Sequence, residues 1–177
     1  MKKQAYLFFM ALLTLAFIGE AYAQAPRRTG TYKAWRSYVI GTSENKVCYI
    51  VSEPVAQKPK GVRRGDVVLL VTHRQEQNIR NELSLRVGYV FSPKSRPFAK
   101  IGESNFQFFT GIGRGKESAH WAWLENPQTA DNMIPAMREG NRLVFKGTSN
   151  RGTRTEDTYS LAGFTAASKQ MDEDCPL

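Results

Sequence analysis

The stretch that organises this chain is residues 147–164, which read GTSNRGTRTEDTYSLAGF. Residues 149–152 have the composition of a tight turn, and the Thr-rich residues 153–161 have that of a β-strand. A helix-like run then leads to Cys175. The apolar residues of that run recur on one helical face: Phe164, Ala167, Met171 and Cys175. The face that packs on the body of the protein would therefore point Cys175 inward.

The first 23 residues have the pattern of a secretory signal peptide. Lys2 and Lys3 precede an apolar run at 5–18, and the tripeptide AYA at 21–23 forms a cleavage site. A membrane anchor is the alternative, but the run is shorter than the roughly 20 residues that span a bilayer. We therefore predict export, with no transmembrane segment in the mature chain. The predicted location is the periplasm, with the outer membrane or the medium as alternatives.

The mature chain predicts a mobile lead-in at 24–31 and a single domain at 32–177. The net charge is +9, and it falls to +8 without the leader, which carries two lysines and one glutamate. A basic exported protein attracts lipopolysaccharide and acidic glycans at long range. Solubility alone is the other interpretation of this charge. We expect no binding of nucleic acid, and the oligomeric state is open.

The two cysteines, Cys48 and Cys175, predict one disulfide bond, because paired cysteines of exported proteins are usually oxidised. The bond would close most of the mature chain into one loop and contribute about 4–5 kcal/mol on the chain-entropy model. Free thiols and a bond between two chains are the alternatives. The spacing fits neither a zinc site nor a redox motif, and we predict no metal and no cofactor.

Short apolar and alternating segments predict a mainly β fold. Residues 47–51 and 67–71 are apolar on both faces, as in buried strands, whereas residues 83–89 alternate with a period of two. Residues 133–140 show apolar side chains at helical spacing and end on glycine, and Thr165 is the expected N-cap of the C-terminal helix. This pattern predicts an antiparallel β-sandwich with one or two short helices.

Two tryptophans, Trp121 and Trp123, share one face of a further strand segment at 119–124. We predict that both belong to the core. If they were exposed, they would suggest stacking against a glycan.

Two basic loops are candidate anion-binding sites. The Pro- and Gly-rich residues 54–65 predict a surface loop. Its candidate anion contacts are Lys58, Lys60, Arg63 and Arg64. Residues 111–116, GIGRGK, add Arg114 and Lys116. This second loop lacks the spacing of a phosphate-binding P-loop, so a flexible hairpin tip is the alternative.

The stretch 147–164 supplies a further candidate set: Arg151, Thr153, Thr155, Asp157 and Tyr159. The two threonines and the tyrosine share one face of the strand, because side chains alternate along it. A ligand-binding face is one interpretation, and a preference of Thr and Tyr for strands is the other. We expect Asp157 to pair with Arg151 or Arg154 and to fix the turn against the strand.

We predict no enzymatic activity. The histidines, His73 and His120, lie in strand-like segments without a nucleophile motif, so we interpret both as residues on wet strand faces. Glu156 and Asp157 would point to opposite faces and could not flank one scissile bond. An envelope hydrolase that uses His120 with Ser118 is the alternative from another class.

Residues 147–167 resemble a pattern of the invasion-associated locus B family of exported α-proteobacterial proteins: a small residue, one variable residue, then RGTxTxDTYSLxGF, Ser or Thr, and AA. Supporting matches are Trp35, Cys48, GYVF at 88–91, AW at 122–123, AM at 136–137 and Cys175. The loops at 54–65 and 110–118 depart from this resemblance. It implies an immunoglobulin-like β-sandwich with a disulfide, export, and a link to host-cell invasion or colonisation, and it implies no catalytic residues.

From these observations we predict an exported, non-enzymatic binding protein of the bacterial envelope. Its partner would be an envelope or host protein, an acidic glycan or lipopolysaccharide. A structural adaptor of an envelope complex is the alternative.

Overall fold

The structure, a computed structural model, describes residues 24–42 and 45–177. The predicted signal peptide lies outside the described residues. Within them, eleven strands and two α-helices form. The strands are β1 (Arg27–Tyr32), β2 (Trp35–Ile40), β3 (Val47–Ser52), β4 (Ala56–Lys58), β5 (Val67–Arg74), β6 (Ile79–Val87), β7 (Phe98–Ile101), β8 (Ser104–Thr110), β9 (Trp121–Leu124), β10 (Arg142–Thr148) and β11 (Arg154–Ser160). The helices are α1 (Ala130–Glu139) and α2 (Phe164–Asp174).

All strand pairs are antiparallel, in the order β1-β2-β3-β5-β6-β9-β8-β7-β10-β11-β4. Strand β8 joins the two halves of this order. Its residue Asn105 pairs with Lys100 of β7, and its residue Phe109 pairs with Trp123 of β9. The prediction of a mainly β, antiparallel fold with two short helices is confirmed.

The two halves of the sheet share one hydrophobic core. Phe108 of β8 meets Phe145 of β10 edge to face, with ring centroids 5.5 Å apart. At the other side, the Trp35 indole N–H donates to the carbonyl of Ser160, 3.0 Å away. Each large apolar side chain buried in this way contributes about 1.5–3 kcal/mol. This arrangement is consistent with a sandwich, and the immunoglobulin-like strand order stays a prediction.

Strands β3 and β5 contain the predicted buried strands at 47–51 and 67–71. The prediction of a mobile lead-in at 24–31 is corrected, because most of this segment belongs to β1, which pairs with β2. The Tyr32 hydroxyl at the end of β1 also donates to Gln170 Oε1 of α2, 2.8 Å away. This segment is therefore held by both a strand and a helix.

Helix α2 closes the fold, and the disulfide bond predicted between Cys48 and Cys175 is confirmed. It joins positions 127 residues apart, and both cysteines are fully buried. The expected N-cap Thr165 is wrong. The N-cap is Gly163, two residues earlier, whose φ of +94° is left-handed, and the helix begins at Phe164. A β-carbon at Gly163 would clash with the carbonyl oxygen of Tyr32, so glycine is required there.

The prediction that Trp121 and Trp123 are core residues is also wrong. Strand β9 turns Ala122 and Leu124 to the core and leaves both tryptophans half-buried on its outer face. The strand period of two decides the outcome, because only one set of alternating side chains can face the core.

Candidate functional site

A cleft of about 450 Å³ lies between three chain segments that are distant in sequence. The segments are 62–64, 88–90 and 149–153. The first two approach closely, and the Gly65 N–H donates to the carbonyl of Gly88 at 2.9 Å. Gly88 has a φ of +69°, and a β-carbon there would collide with the backbone of Gly65. The glycine thus permits the close approach that forms one wall of the cleft.

The opposite wall is the turn that the sequence predicts at 149–152. The N–H of Gly152 donates to the carbonyl of Ser149 at 2.9 Å, and the N–H of Thr153 donates to Ser149 Oγ at 3.2 Å. The N–H of Asn150 donates to the carbonyl of Val90 at 2.8 Å, which ties the turn to the segment 88–90. These bonds leave the Arg151 side chain exposed at the cleft rim.

Beneath the cleft, a buried ion pair joins Arg64 to Asp157. The Arg64 Nη1 and Nη2 groups each donate to one carboxylate oxygen of Asp157, at 2.6 Å. The Arg64 Nε and Nη2 groups also donate to the carbonyl of Val87 at 3.1 and 2.8 Å. Only 7% of the Arg64 side chain and none of the Asp157 side chain is exposed. Asp157 therefore pairs with Arg64, and the expected pairing with Arg151 or Arg154 is wrong.

The electrostatics of this pair combine two opposing effects. Burial raises the pKa of the Asp157 carboxyl above its ordinary value, while the two hydrogen bonds from Arg64 oppose that rise. A bidentate guanidinium is the strongest partner that a buried carboxylate has among protein side chains. The hydrogen-bonded ion pair of Arg64 and Asp157 therefore forms the floor of the cleft.

Aromatic side chains extend this floor. The Arg64 guanidinium lies over the Tyr89 ring, 5.1 Å from its centroid. The Tyr89 hydroxyl is 2.6 Å from Thr155 Oγ1, and burial raises the pKa of the Tyr89 phenol. Burial also raises the pKa of Tyr159 well above its ordinary value, and within the described residues its hydroxyl has no hydrogen-bond partner. Thr155, Asp157 and Tyr159 thus face inward, and their common face is buried.

The candidate anion contacts are spread over several places, and anion binding itself stays a prediction. Arg64 donates its side-chain hydrogen bonds to Asp157 and to the carbonyl of Val87, so it belongs to the floor of the cleft. Lys58 lies in β4, inside the predicted loop at 54–65, and donates to Glu156 Oε1 at 2.9 Å. Arg63 is exposed and lines the cleft. Lys60 is exposed outside the residues that line it.

The second basic loop lies elsewhere. Arg114 and Lys116 are exposed, and the Arg114 guanidinium lies 4.9 Å from the centroid of the Phe109 ring.

The sequence analysis did not identify three residues of the basic cleft and its floor, Val87, Gly88 and Tyr89, as site residues. Their only signal was the strand alternation at 83–89, which carries no information about the cleft.

The carboxylates Glu156 and Asp157 point to opposite faces of β11, as predicted. The hydrogen bond from Lys58 is the largest cause that lowers the pKa of Glu156, and a hydrogen bond from Lys146 acts in the same direction. Since Asp157 is bonded to Arg64 inside the fold, the two carboxylates cannot act on one bond.

The histidines differ from the sequence interpretation. His73 is fully buried, so its placement on a wet face is wrong. Its Nδ1 accepts the N–H of Asn81 at 3.2 Å, and its Nε2 lies 3.0 Å from Asp172 Oδ1. Nε2 therefore carries the ring proton. His120 ends a 3-10 turn, and Ser118 Oγ donates to the carbonyl of Arg114 at 3.3 Å, an arrangement without an activated serine.

Among residues 24–42 and 45–177, no helix is long and apolar enough to cross a membrane. The same residues contain no group of three or more His, Cys, Asp or Glu side chains that could hold a metal ion.

Comparisons with known proteins agree with the fold and the resemblance. The family model "Invasion associated locus B (IalB) protein" matches residues 35–172. A solved structure, the invasion associated protein B from Bartonella henselae, superposes with a TM-score of 0.58 at 16% identity. The match covers 81% of this chain and 95% of that chain. No curated protein matches the sequence. Because the family model spans most of the chain, including all of residues 147–164, this protein belongs to the invasion associated locus B family.

Proposed function

We propose that this protein is an exported, non-enzymatic binding protein that holds an anionic ligand in the cleft between 62–64, 88–90 and 149–153. One observation carries the proposal: two exposed arginines, Arg63 and Arg151, line a cleft whose floor is a buried, fully bonded ion pair. Guanidinium groups bind phosphate and carboxylate in two-pronged geometry. The ligand class is therefore the phosphate or carboxylate of lipopolysaccharide or of an acidic glycan.

The floor supports this function because it holds the walls of the cleft in place. Arg64 connects the loop after β4 to β11, and through Val87 it also connects to the end of β6. The Tyr89–Thr155 hydrogen bond adds a second connection between the same elements. A ligand would therefore meet two arginines on rigid supports, which reduces the ordering that binding requires.

The place of action that we propose is the bacterial envelope, in the periplasm, at the outer membrane or outside the cell. The buried disulfide supports an oxidising compartment. The family name links the chain to invasion. We propose a role in host-cell invasion or colonisation on that basis, through capture of the anionic ligand.

The test is binding of mature, disulfide-bonded protein to purified lipopolysaccharide and to heparin at low and high salt. Arg63→Ala/Arg151→Ala should weaken binding about 5- to 30-fold, from the loss of about 1–2 kcal/mol in two exposed contacts. The control is Arg28→Ala/Arg142→Ala, which removes the same charge from exposed positions outside the cleft. High salt should weaken the wild-type complex, because exposed charges are screened.

Three outcomes would contradict the proposal. Equal losses in both double variants would mean attraction by net charge alone. Absence of binding to both polyanions at low salt would remove the ligand class. If cleft-directed binding were absent and an envelope protein were retained at high salt, a structural adaptor would explain the protein better.

A further inference from the structure

A second groove opens where β6 parts from β9. The two strands pair only from Ser84↔Trp123 to Arg86↔Trp121. Residues 79–83 of β6 therefore border an open space of about 590 Å³, which β8, the end of β9 and the start of α1 enclose on the other side. This groove shares no residue with the basic cleft.

One wall of the groove is aromatic. The rings of Trp123 and Phe109 are nearly parallel, at 24°, with centroids 5.7 Å apart. Trp121 continues the row at 6.3 Å from Trp123, and the Arg114 guanidinium ends it over Phe109. Trp123 and Phe109 are only half-buried, because they stand on the outer face of the sheet. They leave aromatic surface open to a ligand that can pack against it.

The facing wall is polar and rigid. Asn78 and Asn81 line it, and both have left-handed backbones, with φ of +50° and +56°. Left-handed residues other than glycine are uncommon and concentrate at functional positions. The N–H of Asn81 is bonded to buried His73, and the Glu82 carboxylate accepts from Arg74 Nε at 2.8 Å. The wall thus presents amide and carboxylate groups from fixed positions.

We propose that this groove binds an acidic saccharide. A pyranose ring combines an apolar C–H face, which packs on Trp123 and Phe109, with hydroxyl groups at its edge, which bond to Asn78, Asn81 and Glu82.

The charges favour a sugar with a carboxylate. Glu82 is balanced by Arg74, and Arg80, which also lines the groove, is bonded to Asp172 at 2.9 Å. Arg114 forms no ion pair in the part of the chain that the structure describes, so its guanidinium is the donor that would receive the carboxylate.

A peptide that adds a strand to the edge of β6 is the competing occupant. Such a strand needs a regular row of backbone groups. The left-handed Asn81 interrupts that row at the groove, as a bulge does in edge strands that resist pairing. The geometry therefore favours the saccharide.

The tryptophans permit a site-resolved test by NMR. The chain has three tryptophans, and their indole N–H signals can be assigned with single Trp→Phe variants. Trp35 is an internal reference, since it is fully buried and its N–H is bonded to Ser160. Nitrogen-15-labelled mature protein is titrated with two acidic probes, sialyllactose and a hyaluronan tetrasaccharide, and two neutral probes, lactose and chitotetraose.

We expect at least one acidic probe to shift the Trp123 signal in a saturable way and to leave Trp35 unmoved. Arg114→Ala, in an exposed loop, should weaken that acidic probe about 5-fold, as expected for one exposed ion pair of about 1 kcal/mol. It should leave neutral probes unchanged. Trp123→Ala removes the reporting signal, so its binding is measured by calorimetry; binding should be abolished, with the unmoved Trp35 signal as the check that the fold is retained. Arg63→Ala/Arg151→Ala should leave the Trp123 shift unchanged, which separates this groove from the basic cleft.

The proposal is overturned if no acidic saccharide moves the Trp123 signal. It is equally overturned if Trp35 moves with it, if Arg114→Ala weakens neutral and acidic probes alike, or if an extended peptide moves Trp123 when no saccharide does.

Discussion

The buried pair of Arg64 and Asp157 gives the sharpest test of the cleft architecture. Replacement of Arg64 by Met keeps an unbranched apolar side chain of similar width and removes the charged guanidinium. The two 2.6 Å hydrogen bonds to Asp157 and both bonds to Val87 are lost, and a fully buried carboxylate is left without a partner. Loss of one partner of a buried pair costs about 3–5 kcal/mol, against a total stability of about 5–15 kcal/mol for a domain.

The measurement is urea unfolding of the wild type, the single variants Arg64→Met and Asp157→Leu, and the double variant Arg64→Met/Asp157→Leu. The double variant should recover most of the loss, because it removes the stranded charge and leaves an apolar pair. A residual cost of about 1 kcal/mol is expected from the unpaired carbonyl of Val87. The control is Lys58→Met, which breaks a pair whose lysine is 70% exposed, and it should cost less than about 1 kcal/mol.

The pH dependence has a definite sign. Arg64 opposes the burial that raises the pKa of Asp157, so the pKa of Asp157 should rise further in Arg64→Met. A carboxyl whose pKa is higher in the folded state than in the unfolded state destabilises the fold as pH rises through the window between the two values. The penalty of Arg64→Met relative to the wild type should therefore be smallest below the pKa that Asp157 has in the wild type, and it should grow as the pH rises from there to the higher pKa of the variant.

Two results would refute this reasoning. A cost of less than about 1 kcal/mol for Arg64→Met at neutral pH would mean that Asp157 is not confined as described. A double variant at least as unstable as the sum of the two single variants, Arg64→Met and Asp157→Leu, would mean that the two side chains act independently.

Three further predictions concern stability. Loss of the bond between Cys48 and Cys175 should lower the free energy of unfolding by about 4–5 kcal/mol, and a melting curve unchanged after verified full reduction would contradict it. Gly163→Ala should cost more than Gly113→Ala in urea unfolding, because both glycines are left-handed and only Gly163 faces a backbone carbonyl; equal costs would contradict the clash. Tyr159→Phe should change stability by less than about 1 kcal/mol, since its buried hydroxyl has no protein partner within the described residues; a larger loss would indicate a bound water.

Much of the fold was predictable because apolar patterns record burial. Residues 47–51 and 67–71 are apolar on both faces, and they form β3 and β5 at the centre of one half of the sheet. Strand β1 was missed because its sequence, RRTGTY, has no apolar alternation. It forms because its backbone pairs with β2 and because Tyr32 is bonded to α2, and neither contact is visible in the local sequence.

The face on which a side chain lies was the harder inference. Trp121 and Trp123 have the composition of core residues, and His73 has that of a surface residue, yet the structure reverses both. A strand decides which set faces inward by its register with its neighbours. The pairing of His73 with Cys48 puts this histidine on the inner side, where Asp172 and Asn81 satisfy both ring nitrogens.

The partner of Asp157 shows why the cleft could not be predicted from the sequence. Arg151 and Arg154 are near in sequence, whereas Arg64 is 93 residues away. Strand β4 settles the choice by pairing with β11, with Gln57 opposite Asp157. This pairing places the chain that follows β4 beside β11, and from there Arg64 donates its hydrogen bonds to Asp157. Strand β4, which lies in a segment predicted to be a loop, is therefore the element that brings Arg64 to the floor of the cleft.

Most of the stretch 147–164 stabilises the fold, and its Arg151 also lines the basic cleft. Within this stretch, Thr155 is hydrogen-bonded to Tyr89 and Asp157 to Arg64, and Gly163 allows the backbone of β1 to approach closely. These contacts stabilise the fold. The loops that the sequence analysis predicts to depart from the family pattern, 54–65 and 110–118, supply Arg63 to one groove and Arg114 to the other. If both proposed sites bind ligands, exchange of residues 60–63 and 112–117 between family members, which leaves β4 and Arg64 in place, should change which anion is bound and leave the free energy of unfolding nearly unchanged. A loop exchange that kept the original binding preference would place ligand recognition elsewhere on the fold.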